Sequence, residues 1–86
     1  MVLLIVNFKT GDESVSFYDV AVLIETETID RRALEKAFSS CEIDYEEDDY
    51  YEECVKRVLN GAGYKWSFLN SSIPQCNRYY QVFVSP

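Results

Sequence analysis

Residues 2–6, VLLIV, form an unbroken apolar run near the start of an 86-residue chain. Such a run has no polar side to turn to water. It predicts a strand over residues 2–9 that is covered on both faces or sits at the centre of a sheet. Lys9 ends the apolar stretch well short of the about 20 residues that a membrane span needs, and neither a basic leader nor a small-residue cleavage site accompanies it. The rest of the chain must then supply neighbouring strands and something to cover them.

Gly11 and Asp12 in "TGDES" mark a turn. The short link predicts an antiparallel hairpin into a second strand over residues 15–25, with Phe17, Val20, Val22 and Ile24 at apolar positions. These four do not share one period of two, so a bend is expected in that strand. "TETID" leads into a helix capped by Asp30, or by Thr28 if it starts earlier. Ala33, Leu34, Ala37, Phe38 and Cys41 recur at helical spacing on one stripe, and Tyr51, Cys54, Val55, Val58, Leu59 and Ala62 make a second. Gly61 is expected to end the second helix in the left-handed conformation. The start of that helix has two readings. Asp44 with Glu47 forms a capping pair, or "CEIDY" alternates as a short extra strand at 41–45 and the helix begins near residues 46–48. Tyr64, Trp66 and Phe68, then Tyr80, Val82 and Val84, alternate as two closing strands around "NSSIPQCN", where Pro74 excludes a regular ladder. The fold class expected is α+β. A mostly antiparallel four-stranded sheet carries two helices on one face in the order ββααββ, with residues 1–86 as a single domain.

Charge is concentrated in one place. The stretch "CEIDYEEDDYYEEC", residues 41–54, holds eight of the 15 carboxylates and none of the eight bases, so it carries -8 of a net charge of -7 and the remainder is +1. A hydrophobic fraction of 48% makes the whole too apolar for a disordered chain. The acidity is therefore expected on a folded element, where it repels nucleic acid and anionic membrane and attracts a basic protein surface. Glu52 with Lys56, and Glu53 with Arg57, are spaced for helical ion pairs. Glu42, Asp44, Glu46, Glu47, Asp48 and Asp49 have no base within a helical turn. Either a solvated helix start, neutralised by Arg31 and Arg32 folding over it, or a binding surface accounts for them.

Several chemistries find no support in the pattern. Without any His, the histidine triads and imidazole metal ligands are missing. Cys41, Cys54 and Cys76 form no C-x-x-C pair, and the acidic stretch has no glycine for a calcium loop, so no metal or other cofactor is expected. Carboxylate pairs hydrolyse glycosides only at a defined separation across a cleft, which this density does not specify. The expected protein is not an enzyme. Three cysteines, an odd number without staple-like spacing, read as reduced thiols and favour the cytoplasm. Cys54 and Cys41 read as buried, and Cys76, in the loop before Arg78, is the one with a chance of exposure.

Tyr45 and Tyr50 interleave the acids, and tyrosine both packs and hydrogen-bonds at binding hot spots. A rigid carboxylate array reproduces the field of a phosphate backbone and offers planar acceptors to arginine. In size and acidic patterning the chain resembles small phage or mobile-element inhibitors that mimic nucleic acid, anti-CRISPR proteins among them, and acidic immunity proteins that plug nucleases. The resemblance is one of class and transfers no residues. The expected partner-binding residues are Glu42, Asp44, Tyr45, Glu46, Glu47, Asp48, Asp49 and Tyr50. Their partner is expected to be the basic surface of a nuclease or other nucleic-acid-handling protein. The alternative is a non-catalytic adaptor subunit that binds through its sheet edge or the 70–77 loop, with the acids serving solubility.

Overall fold

The apolar N-terminal run becomes a central strand. In the computed structural model, which describes residues 1–10, 16–69 and 78–85, β1 (Val2–Thr10) lies between β2 (Ser16–Ile24) and β4 (Arg78–Val84), with β3 (Trp66–Phe68) outside β2. Helices α1 (Arg31–Ser40) and α2 (Tyr50–Gly61) fall between β2 and β3 in the chain. The order is therefore ββααββ, an α+β fold with a four-stranded sheet. β1–β2 and β2–β3 pair antiparallel, and β1–β4 pair parallel. The 70–77 loop expected from the sequence, including Cys76, and residues 11–15 lie outside the described residues.

Alternation sorts the sheet into two faces. Val2, Leu4, Val6 and Phe8 of β1, Val20, Val22 and Ile24 of β2, and Val82 and Val84 of β4 are buried in one cluster with Leu34, Phe38, Tyr51, Cys54, Val55 and Leu59 of the helices. Both helices thus cover the same face. Each such side chain contributes about 1.5–3 kcal/mol by leaving water. Leu3, on the opposite face of β1, is also only 5% exposed, as the central position demands. The β1–β2 register runs without interruption from Val2 opposite Ile24 to Thr10 opposite Ser16. The second strand therefore pairs with β1 along its whole length, without a bulge at Phe17. Phe17 points to the other face, where its ring meets that of Phe83 at 5.8 Å, and Tyr18 takes the core-side position in phase with Val20.

The helix ends follow side-chain chemistry. Asp30 caps α1, its carboxylate accepting from the Ala33 N–H at 3.2 Å. Of the expected α1 stripe, Leu34 and Phe38 are buried and Cys41 is half-buried, while Ala33 and Ala37 stay exposed. Gly61 is the last helical residue of α2, and the left-handed glycine is Gly63, at φ 82°. The Gly63 N–H donates to the Asn60 carbonyl at 3.1 Å and the Tyr64 N–H to the Leu59 carbonyl at 3.2 Å. This paired closure requires a positive φ two residues later than the sequence suggested. Tyr64 thereby leaves the third strand, which begins only at Trp66. No helix among the described residues is long and apolar enough to cross a membrane.

Candidate functional site

The acidic stretch connects the end of α1 to the second turn of α2. Cys41 closes α1 with its N–H on the Phe38 carbonyl. Residues 41–44 pair with no strand among the described residues, so the extra strand at 41–45 does not form. Asp44 instead folds the chain locally. Its carboxylate accepts from the Glu46 N–H at 3.1 Å and its carbonyl from the Glu47 N–H at 3.2 Å. Asp44 thus stabilises a turn of its own, and the expected Asp44–Glu47 capping pair is not made. The helix starts at Tyr50, later than residues 46–48. Asp49, the residue before it, sits at φ 54° in the left-handed region and makes no side-chain cap.

All the expected acids of the run, Glu42, Asp44, Glu46, Glu47, Asp48 and Asp49, are exposed. No carboxylate among them is ion-paired among the described residues. Arg31 pairs with Glu35 at 3.1 Å on its own helix, so the arginine lid over the acids does not form in that way. Arg57 does reach the run, yet it donates to the Glu42 backbone carbonyl at 2.7 Å and leaves the carboxylates alone. The expected Glu53–Arg57 pair is consequently not made. Glu52 turns away from Lys56 and accepts from the Tyr18 hydroxyl.

Beneath the acids lies a chain of aromatic rings. Tyr45, 59% exposed, meets Tyr50 edge-on at 4.9 Å, and Tyr50 tilts against Tyr51 at 4.5 Å. Tyr51 stacks on Tyr18 at 5.1 Å and rests against Phe8 at 4.6 Å; Phe8 in turn meets Phe38 edge-on at 6.3 Å. The contacts run from the surface into the core, so the turn rests on packed side chains as well as its backbone bonds. Tyr18, Asp49, Tyr50, Tyr51 and Glu52 line a shallow cleft of about 200 Å³. Two of its phenols, Tyr18 and Tyr51, hold their protons tightly. The hydrogen bond to Glu52 raises the Tyr18 pKa most, with burial and the Glu52 and Asp49 charges adding to it. Burial raises that of Tyr51. The cleft combines aromatic rings with the side chains of Asp49 and Glu52, a combination that suits a cation.

Tyr45 and Tyr50 stand where the sequence placed them, among the acids. Tyr18 and Glu52 were missed. They are 34 residues apart in sequence, and the only available signal was the strand phase that puts Tyr18 on the helix-covered face. Among the described residues no three Cys, Asp or Glu side chains converge as metal ligands would. Compared with protein families, curated proteins and solved structures, the chain matches none.

Proposed function

We propose that this protein acts by binding rather than by catalysis: it occupies the basic surface of a nucleic-acid-handling protein, such as a nuclease, and blocks it. The observation that carries this reading is the exposed run Glu42–Asp49, whose carboxylates make no ion pair among the described residues and which packs its Tyr45 and Tyr50 rings together. Ordinary soluble surfaces intersperse both signs, whereas here Arg31 pairs with Glu35 and Arg57 donates to the Glu42 backbone carbonyl, not to a carboxylate of the run. Glu42, Asp44, Glu46, Glu47, Asp48 and Asp49 supply the field that steers a basic partner, Tyr45 and Tyr50 supply contact area, and the cleft beside Asp49 and Glu52 receives an arginine or lysine side chain. The reducing cytoplasm is the compartment proposed, since the three cysteines are an odd number without staple-like spacing.

The test is capture of partners from nuclease-treated host extract by the wild-type chain and by a variant with Glu46, Glu47, Asp48 and Asp49 replaced by lysine. The expected partner binds wild type alone, is released from it by raised salt and by added nucleic acid, and loses nucleic-acid binding when the chain is present. Equal capture by the charge-reversed variant would overturn the reading.

A second reading has one observation of its own. β4 is an edge strand of seven residues on which Tyr79 and Phe83 are 57% and 56% exposed. An adaptor that adds a partner strand there would bind independently of salt.

A further inference from the structure

We propose that the sheet face turned away from the helices is a homodimer interface, on which a second copy of this chain packs face to face into a helix–sheet–sheet–helix particle. Both helices cover one face of the sheet, and no described element covers the other. Pairing lines up Tyr79, Leu3 and Leu23 in one row across β4, β1 and β2, with Ile5 and Ala21 in the next. Phe17 and Phe83 meet ring to ring at the far end. Tyr79, Phe83 and Phe17 are 57%, 56% and 41% exposed. A sheet with one wet face normally alternates apolar with polar residues, and this one carries apolar side chains on both faces. Contiguous exposed apolar surface of this kind marks an interaction site.

Charge and area select a second copy as the occupant. Within the paired strands this face carries two charged residues of opposite sign, Lys9 and Asp19, and the Asp19 carboxylate accepts from the Asn7 amide. The face therefore favours neither a basic nor an acidic partner, in a chain whose net charge is -7. The acids of residues 42–49 belong to the helix layer, since their turn leads into α2 and Tyr50 behind them packs on Tyr51. In the dimer the helix layers are outermost. With the sheets about 10 Å apart and a helix about 10 Å thick over each, the two acidic runs stand roughly 30 Å from each other, several times the screening length of about 8 Å. Nine residues each of β1 and β2, seven of β4 and three of β3, at a rise of about 3.3 Å and a spacing of about 4.8 Å, give roughly 450 Å² of sheet. Two such faces bury on the order of 1,000 Å², the size at which specific interfaces begin. This contact is independent of what the acids bind.

The test is sedimentation equilibrium of the wild-type chain from micromolar to millimolar concentration, at low and at raised salt. The expected result is a reversible dimer, of twice the 10.0 kDa chain mass, that strengthens as salt rises, because salt screens the net repulsion and leaves the apolar contact. Phe17→Lys and Phe83→Lys, each with its fold checked by circular dichroism, should weaken it by about tenfold or more. Replacing Glu46, Glu47, Asp48 and Asp49 by lysine should leave it in place. In a mixture of isotope-labelled and unlabelled wild-type chains, nuclear Overhauser contacts between copies should come from the Phe17 and Phe83 rings. A chain that stays monomeric to millimolar concentration overturns the proposal. So does a dimer that dissociates as salt rises or is lost with the four lysines, which places the contact at the acidic run. So, too, does a dimer that survives Phe17→Lys or shows no Phe17 contact between copies, which places it at the free edge of β4.

Discussion

Tyr18, on β2, donates its phenol hydrogen to the carboxylate of Glu52 in the first turn of α2. With the stacking of the same ring on Tyr51, this ties the exit of the acidic turn to the sheet. Tyr18→Phe keeps the ring and removes only the hydroxyl. The bond is solvent-exposed, so the expected loss is small, about 0.5–1 kcal/mol in urea unfolding. Tyr18→Ala removes the stacked ring as well and should cost clearly more in the same measurement.

The titrating groups of this region predict an alkaline limit to stability. Tyr18, Tyr51 and Cys54 all have raised pKa values in the fold. A raised pKa means that folding favours the protonated form, so the stabilisation is complete below the unfolded value and is lost as pH climbs through the folded one. For Cys54 the window runs from 9.0 to about 12, and the tyrosines begin to contribute above 10.0. Thermal midpoints measured across that range should fall. Cys54→Val retains the burial and removes the thiol proton, and should flatten the lower part of the decline. An unchanged slope would assign the whole decline to other groups.

Two aspartates precede helices in this chain, and their substitutions should have opposite signs. Asp30 accepts a capping bond from Ala33, so Asp30→Ala should cost about 1 kcal/mol. Asp49 holds a left-handed backbone at φ 54° without a capping bond. Glycine adopts that conformation without a steric penalty, and Asp49→Gly should raise stability by up to about 1 kcal/mol. Paired denaturant titrations check both. If the carboxylate at position 49 contacts the partner, the stabilised variant should also bind more weakly.

Much of the fold was legible because burial has a period. The Val2–Val6 run specified a central strand, Leu34 with Phe38 specified one helix face, and Tyr51, Cys54, Val55 and Leu59 specified the other. The element order followed from these. The errors arose where a local choice depended on something distant or on closure geometry. Phe17 is apolar and out of phase with Val20, Val22 and Ile24, and only Phe83 from another strand shows that it packs on the opposite face. Gly61 and Gly63 are both suitable residues for ending a helix, and only the bonds of Gly63 and Tyr64 to the preceding turn decide between them. The parallel pairing of β4 with β1 has no local signature at all.

The candidate site divides in the same way. The density of unpaired acids between Glu42 and Asp49 is a property of the sequence, and so is the presence of Tyr45 and Tyr50 among them. The cleft is a property of the fold, since it requires Tyr18 to meet Glu52 across the gap between sheet and helix. Helical spacing also misled: Glu52 and Glu53 sit four residues before Lys56 and Arg57, yet Tyr18 and the Glu42 carbonyl offer Glu52 and Arg57 other partners. An exposed ion pair on a helix is worth only about 0.3–0.5 kcal/mol, so modest competition suffices to displace it.

Asn7 provides a test of the sheet itself. It lies in the middle of β1, only 5% exposed, and its side-chain amide donates to the Asp19 carboxylate on β2. Its own side-chain oxygen has no hydrogen-bond partner among the described residues. A buried acceptor left in that state costs about 1–3 kcal/mol, and asparagine is also a poor strand former. Asn7→Val removes the orphan oxygen and suits the central strand, while Asp19, being exposed, recovers its bond from water. The expected result is a gain of about 1 kcal/mol in urea unfolding with an unchanged denaturant slope. A loss of similar size would show that the Asn7 amide is satisfied and that its bond to Asp19 stabilises the β1–β2 pairing.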